Sequence, residues 1–119
     1  MSAPIYFVES TVVIPPQNID GFLKAANKLN YGTAWQTIGE YCEDDGWQYY
    51  VRDDGGYMII STDEDHYMSE ENFWSKVAPH IEDGGFIEFN DDFGHPFRWK
   101  FVGGKLRAIW AHITVEWLE

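Results

Sequence analysis

The strongest constraint on the fold of this chain is an alternating segment in its C-terminal third. Aromatic and basic side chains take turns there, in the order Phe97, Arg98, Trp99, Lys100, Phe101. A period of two is typical of a strand with one apolar and one polar face. Turns at residues 90–94 and 103–104 separate this strand from a strand at 86–89 and from another that runs from 105 to about 117. The C-terminal third therefore predicts a three-stranded antiparallel meander, with its aromatic face covered by the rest of the chain.

The preceding residues predict three more strands and three helices. A first strand is expected at 5–14, because β-branched and aromatic residues dominate it. A hairpin is expected at 47–52 and 57–62, since the linker Asp53-Asp54-Gly55-Gly56 is typical of a tight turn. The helices are expected to begin near the capping residues Asn18, Thr33 and Ser69. The third helix is expected to end or kink at Pro79.

The predicted order is β-α-α-β-β-α-β-β-β, and residues 1–119 form a single domain. We expect an α+β fold, an antiparallel sheet of about five or six strands with two or three helices packed on one face. Trp99 and Phe101 should be buried on that face together with Ile113 and Val115. Cys42 should be buried and unreactive, because Ile38 and Tyr41 share the apolar side of its helix.

The net charge is −12, from twenty acidic and eight basic residues. Such a charge repels the phosphates of DNA, RNA and anionic membranes, so we expect none of these as direct partners. A single cysteine excludes an internal disulfide. No apolar run reaches the roughly 20 residues that a membrane helix needs, and no signal peptide is recognised at the N-terminus. These features predict a cytoplasmic protein.

The acidic residues are concentrated in one window of the sequence. Residues 40–92 contain sixteen acidic and two basic residues, a net charge of −14. Turn chemistry explains many of the positions, since Asp before Gly suits turns and Glu suits a first helical turn. It does not explain the sign, because Asn or Ser would serve most turns equally well. We therefore interpret the window as a partner-binding surface that imitates nucleic-acid phosphates; its candidate residues are Glu43, Asp44, Asp45, Asp53, Asp54, Asp63, Glu64, Asp65, Glu70 and Glu71.

Patterns for other kinds of site are incomplete. Asp63, Asp65 and His66 lie close in sequence but lack the central glycine and the twelfth-position Glu of a calcium loop. The histidines have no cysteine partners, so we predict no metal and no cofactor. The serines lack a nucleophile elbow and the glycine pairs are flanked by acids, so we predict no enzyme. A basic strip is expected to offset nearby acids and protect a sheet edge; it consists of Arg98, Lys100, Lys105 and Arg107.

Residues 77–105 resemble a C-terminal signature of small uncharacterised proteins of bacteria and their phages. In that signature a helix ends in a proline and an acidic-glycine turn, here Pro79 and 82–85. A strand, an aromatic-basic-aromatic strand and a glycine turn follow. The resemblance implies a small α+β fold and a phage or mobile-element origin, with the host cytoplasm as the location. It carries over no catalytic residues.

These observations favour a small non-enzymatic interaction protein that blocks a basic, nucleic-acid-binding site on a larger protein. The resemblance makes an anti-CRISPR or anti-restriction inhibitor of a nucleic-acid-handling enzyme the first expectation. A toxin-immunity protein that neutralises a basic nuclease is the alternative with the same binding physics. A small-molecule binder or enzyme with an aromatic pocket is the alternative from a different class. The sequence does not indicate the oligomeric state.

Overall fold

A computed structural model describes residues 2–111 and 117–118. Within these residues the chain forms eight strands and three α-helices, which confirms the α+β prediction. The strands are β1 (Pro4–Ser10), β2 (Val12–Ile14), β3 (Trp47–Val51), β4 (Tyr57–Thr62), β5 (His66–Tyr67), β6 (Phe86–Asn90), β7 (Pro96–Val102) and β8 (Lys105–Trp110). The helices are α1 (Ile19–Asn27), α2 (Ile38–Asp45) and α3 (Glu71–Val77).

The strands form two antiparallel sheets. The larger sheet has the order β5-β1-β6-β7-β8 and the smaller has the order β2-β4-β3. The single first strand predicted at 5–14 is wrong, because Thr11 divides it between the two sheets. The Thr11 N–H donates to the Phe86 carbonyl at 2.8 Å, and the Thr11 Oγ1 accepts the Phe86 N–H at 3.0 Å. Thr11 thus still bonds to β6 of the larger sheet, while the next residue, Val12, begins β2 of the smaller sheet.

The predicted meander is confirmed in β6, β7 and β8. On β7 the aromatic side chains are buried and the residues between them are half-buried, as the alternation predicted. Trp99 and Phe101 are each 1% exposed, and the Trp74 ring of α3 packs 6.1 Å from the Phe101 ring. Residues 112–116, which include the predicted core residues Ile113 and Val115, lie outside the described residues.

The starts of the helices differ from the predictions. Helix α2 is capped by Thr37 rather than Thr33, because the Thr37 Oγ1 accepts the Glu40 N–H at 3.1 Å. Asn18 precedes α1 but makes no side-chain capping bond. A 3-10 turn at Met68–Glu70 precedes α3, so Ser69 lies inside that turn. Pro79 lies in the 3-10 turn that follows α3, as expected of a residue without an N–H donor.

Candidate functional site

The hairpin of β3 and β4 separates the predicted acidic residues into two groups. Trp47 pairs with Thr62 at one end of the hairpin, and Val51 pairs with Tyr57 at the other. Strands of this length span about 16 Å. Asp53 and Asp54 therefore lie at the far end from residues 63–65. The Arg52 guanidinium lies 3.8 Å from the carboxylates of both Asp54 and Glu82.

The second group gathers where α2 ends, and we call it the α2-end surface: Glu43, Asp44, Asp63, Glu64 and Asp65. The Gly46 carbonyl accepts the Asp63 N–H at 3.2 Å and the Thr62 hydroxyl at 3.0 Å. The Glu64 side chain lies over Gly46, which has a φ of +77°. Any larger residue at Gly46 would be strained and would collide with Glu64. The loop after β4 is therefore held against the end of α2, so the two acidic segments meet.

The α2-end surface concentrates negative charge at the negative pole of a helix. Helix α2 has no basic residue in its last turn. All five side chains are exposed. The carboxylates of Glu43, Asp63, Glu64 and Asp65 make no hydrogen bond or ion pair with any described residue. Among the described residues, the Asp44 carboxylate accepts one hydrogen bond, from the Trp35 Nε1–H at 2.6 Å. Acidic groups are unfavourable at a helix C-terminus, so the helix dipole does not account for the charge of this surface.

Two of the predicted partner-binding residues, Asp45 and Glu70, face an interior network instead. The Asp45 Oδ2 accepts the Tyr41 hydroxyl at 3.1 Å and the Trp47 Nε1–H at 3.0 Å. Burial raises the pKa of Asp45, and the neighbouring Glu70 carboxylate raises it further. Asp45 and Glu70 are half-buried and accept hydrogen bonds from within the protein, so they are distinct from the exposed carboxylates of the α2-end surface. A third predicted residue, Glu71, is half-buried in the first turn of α3.

His66 joins Asp45 and Glu70 in one cluster. A donor atom of each residue lies within 4.8 Å of the donor atoms of the other two. His66 is 3% exposed, and its ring lies 4.4 Å from the Trp47 ring. Its Nδ1 lies 2.7 Å from the Glu70 Oε1, and its Nε2 lies 2.7 Å from the Thr62 Oγ1.

The sequence had grouped His66 with Asp63 and Asp65, its neighbours along the chain, and so missed this cluster. Asp45 lies before the β3–β4 hairpin and is brought to His66 only by folding. The spacing of four residues between His66 and Glu70 gave no signal, because the helical i, i+4 rule does not apply between a strand and a 3-10 turn.

The basic strip predicted on β7 and β8 has mostly structural contacts. The Arg98 Nε donates to the Glu88 Oε1 at 2.9 Å. Its guanidinium lies between the rings of Phe86 and Trp117, at 3.9 and 4.1 Å from their centroids. Lys105 and Arg107 lie on β8, the edge strand of the larger sheet, where basic side chains disfavour pairing with another chain.

The interior that would form an aromatic ligand pocket is filled by rings packed on one another. Tyr41 stacks on Phe73 with centroids 5.0 Å apart, and Trp47 packs edge-on against Trp74 at 5.6 Å. Two surface cavities have volumes of about 460 and 310 Å³. Neither is lined by these rings: the first is lined by Tyr50, Val51, Arg52, Asp53 and Asp54, and the second by Ala25, Lys28, Leu29 and Lys76.

Comparison with known proteins does not assign a family or a function to this chain. In the part of the chain that the structure describes, no helix combines the length and the apolar character needed to cross a membrane. No protein-family model, curated protein or solved structure matches the chain.

Proposed function

We propose that this chain is a small non-enzymatic interaction protein whose α2-end surface binds a basic, nucleic-acid-binding site on a larger protein and blocks it. One observation carries the proposal. Four carboxylates, those of Glu43, Asp63, Glu64 and Asp65, stand exposed beside the negative pole of α2 without a hydrogen bond or ion pair to any described residue.

This arrangement has a cost in the isolated protein. An acidic side chain at the C-terminal end of a helix is unfavourable by about 0.3–1 kcal/mol. Neighbouring carboxylates repel one another as well. Asn at Asp63 or Gln at Glu43 would fit the same backbone without the charge. When a basic partner is bound, these carboxylates would become stabilising, because Lys and Arg side chains of the partner would neutralise them.

The surface combines charge with exposed aromatic side chains, as tight interfaces do. Tyr67 of β5 is 43% exposed and Tyr6 of β1 is 52% exposed. Pro4 pairs with Tyr67 across β1 and β5, so the two tyrosines lie close to the loop that carries Asp65. In the proposed mechanism the carboxylates replace phosphates and accelerate association, while tyrosine anchors slow dissociation. The basic site is blocked by occlusion, and no covalent chemistry is involved.

The class of partner follows from the charge and from the resemblance of residues 77–105 to small phage and bacterial proteins. A surface that imitates phosphates fits a nuclease or another nucleic-acid-handling defence enzyme in the host cytoplasm, as in anti-CRISPR or anti-restriction inhibition. A toxin nuclease would offer the same kind of basic site, so the identity of the captured partner separates inhibition of a defence enzyme from toxin immunity.

The proposal is tested with two variants that change the net charge equally. Asp63→Lys/Asp65→Lys reverses two unpaired carboxylates of the α2-end surface. Glu9→Lys/Asp20→Lys reverses two exposed acids on β1 and α1. Wild-type protein and both variants serve as baits in nuclease-treated host lysate, and the captured proteins are compared by quantitative mass spectrometry. The purified partner is then assayed for nucleic-acid binding with increasing amounts of each bait.

We expect the wild type and the Glu9/Asp20 variant to capture the same basic protein and to displace its nucleic acid. The Asp63/Asp65 variant should do neither while keeping the wild-type circular dichroism spectrum, since exposed charges contribute little to stability. Equal capture and displacement by all three baits would contradict the α2-end surface as the binding site. Capture of a partner that retains its nucleic acid would contradict occlusion.

A further inference from the structure

Beyond the proposed docking function, we propose that Asp45, His66 and Glu70 form a binding site for one divalent first-row metal ion, with Zn²⁺ as the probe. The three residues come from the end of α2, from β5 and from the turn before α3. One donor atom of each lies within 4.8 Å of the donor atoms of the other two. Ligands that share an ion at about 2.0–2.2 Å lie within about 4.4 Å of one another, so at most a small shift of the side chains would close this cluster on an ion.

Thr62 and Glu70 hold the His66 ring at both of its nitrogens. The Thr62 Oγ1 lies 2.7 Å from the His66 Nε2 and 3.0 Å from the Gly46 carbonyl oxygen. The His66 Nδ1 is turned toward the Glu70 Oε1, 2.7 Å away. An ion bound by Nδ1 and Oε1 would replace the hydrogen bond between these two atoms.

The carboxylates are held in the same way, each by one oxygen. Backbone and ring donors occupy the Glu70 Oε2, which accepts the Tyr67 N–H at 2.7 Å, and the Asp45 Oδ2, which accepts the Tyr41 hydroxyl and the Trp47 Nε1–H. The Asp45 Oδ1 makes no hydrogen bond with a described residue. Outer partners of this kind orient metal ligands in proteins and are expected of a formed site. Each ligand thus keeps one donor atom for the ion.

The charge of the cluster suits a divalent cation. Its two carboxylates carry a formal charge of −2 in a site whose residues are half-buried or buried. A divalent ion bound by them and by a neutral imidazole brings the formal charge of the site to zero.

The ligand set selects the class of ion. One imidazole nitrogen and two carboxylate oxygens suit Zn²⁺, Mn²⁺ or Fe²⁺, whereas Ca²⁺ and Mg²⁺ prefer sites made of oxygen alone. Three protein ligands leave a coordination position for solvent. The ion would tie the end of α2 to β5 and to the start of α3, next to the α2-end surface, so binding should stabilise the folded state.

Tag-free protein freed of metal with a chelator is titrated with Zn²⁺ by isothermal calorimetry. The variants are Glu70→Gln, which keeps an acceptor for the Tyr67 N–H, and His66→Gln. The matched control is Asp20→Asn, which removes one negative charge from the first turn of α1. Circular dichroism checks the fold of each variant, and melting curves are recorded with and without Zn²⁺.

We expect one Zn²⁺ per wild-type chain and a higher melting temperature in its presence. Asp20→Asn should behave like the wild type. Glu70→Gln and His66→Gln should weaken binding by more than about tenfold. Wild-type binding that is unsaturable, or that leaves the melting temperature unchanged, overturns the proposal even if a variant fails to fold. Equally tight binding by folded Glu70→Gln shows adventitious contact with surface carboxylates and also overturns it.

Discussion

Replacing Trp99 by alanine tests the assignment of the buried face of β7. Trp99 lies at the centre of the strand and is 1% exposed. Its ring packs 4.9 Å from the Phe89 ring and 6.0 Å from the Phe97 ring. The substitution removes nearly all of a large aromatic side chain from a site enclosed by other rings. The neighbouring side chains can fill the resulting space only in part.

The expected loss is about 3–5 kcal/mol in the free energy of unfolding, as for other buried Phe or Trp residues changed to Ala. Small domains are stable by about 5–15 kcal/mol, so the variant would lose a large part of its stability. Trp99→Phe should cost less, because it keeps a ring in the site and removes an indole N–H that has no acceptor among the described residues.

Urea unfolding followed by circular dichroism measures these differences. With an m-value of about 2 kcal/mol/M, a loss of about 4 kcal/mol lowers the midpoint by about 2 M. Phe93→Ala is the control, since Phe93 is 84% exposed in the β6–β7 turn. Its free energy of unfolding should stay within about 0.5 kcal/mol of the wild type. A Trp99→Ala protein that unfolds at the wild-type midpoint would refute the burial of this face.

Three further outcomes are expected. Burial raises the pKa of the Cys42 thiol to about 12, so a thiol reagent at pH 8 should label the native protein far more slowly than the unfolded protein; rapid native labelling would contradict the buried site. Association of the α2-end surface with its partner should slow steeply with salt, because the Debye length falls from about 10 Å at 0.1 M to about 3 Å at 1 M, and stopped-flow rates independent of salt would argue against steering. Burial acts to raise the pKa of Asp91, but backbone N–H groups of His95 and Phe93 outweigh it and lower that pKa. Ionised Asp91 should therefore stabilise the fold at pH values above its unfolded pKa near 3.8, and this stabilisation should be lost as the pH falls through its folded pKa. Asp91→Asn should flatten the acid part of a plot of urea midpoint against pH, and an unchanged plot would contradict the turn contacts.

The sequence by itself determined the features that depend on neighbouring residues. The alternation at 96–102 predicted the buried face of β7, because successive side chains of a strand point to opposite faces. The turn at 53–56 was predicted from the backbone preferences of single residues. The burial of Cys42 followed from the apolar pattern of its helix and is confirmed.

Only the tertiary structure decided which distant segments meet. Thr11 divides the first strand because its hydroxyl oxygen and N–H find Phe86, a residue far along the chain.

The same applies to the acidic window, whose residues look equivalent in the sequence. Folding places Asp53 at one end of a hairpin and Asp63 at the other, and it turns Asp45 toward His66. The alternation of side chains along a strand is a local property of the backbone, so the sequence predicts it. The hydrogen-bond partner of a carboxylate depends on which distant segments pack together, and that is decided only by the tertiary structure.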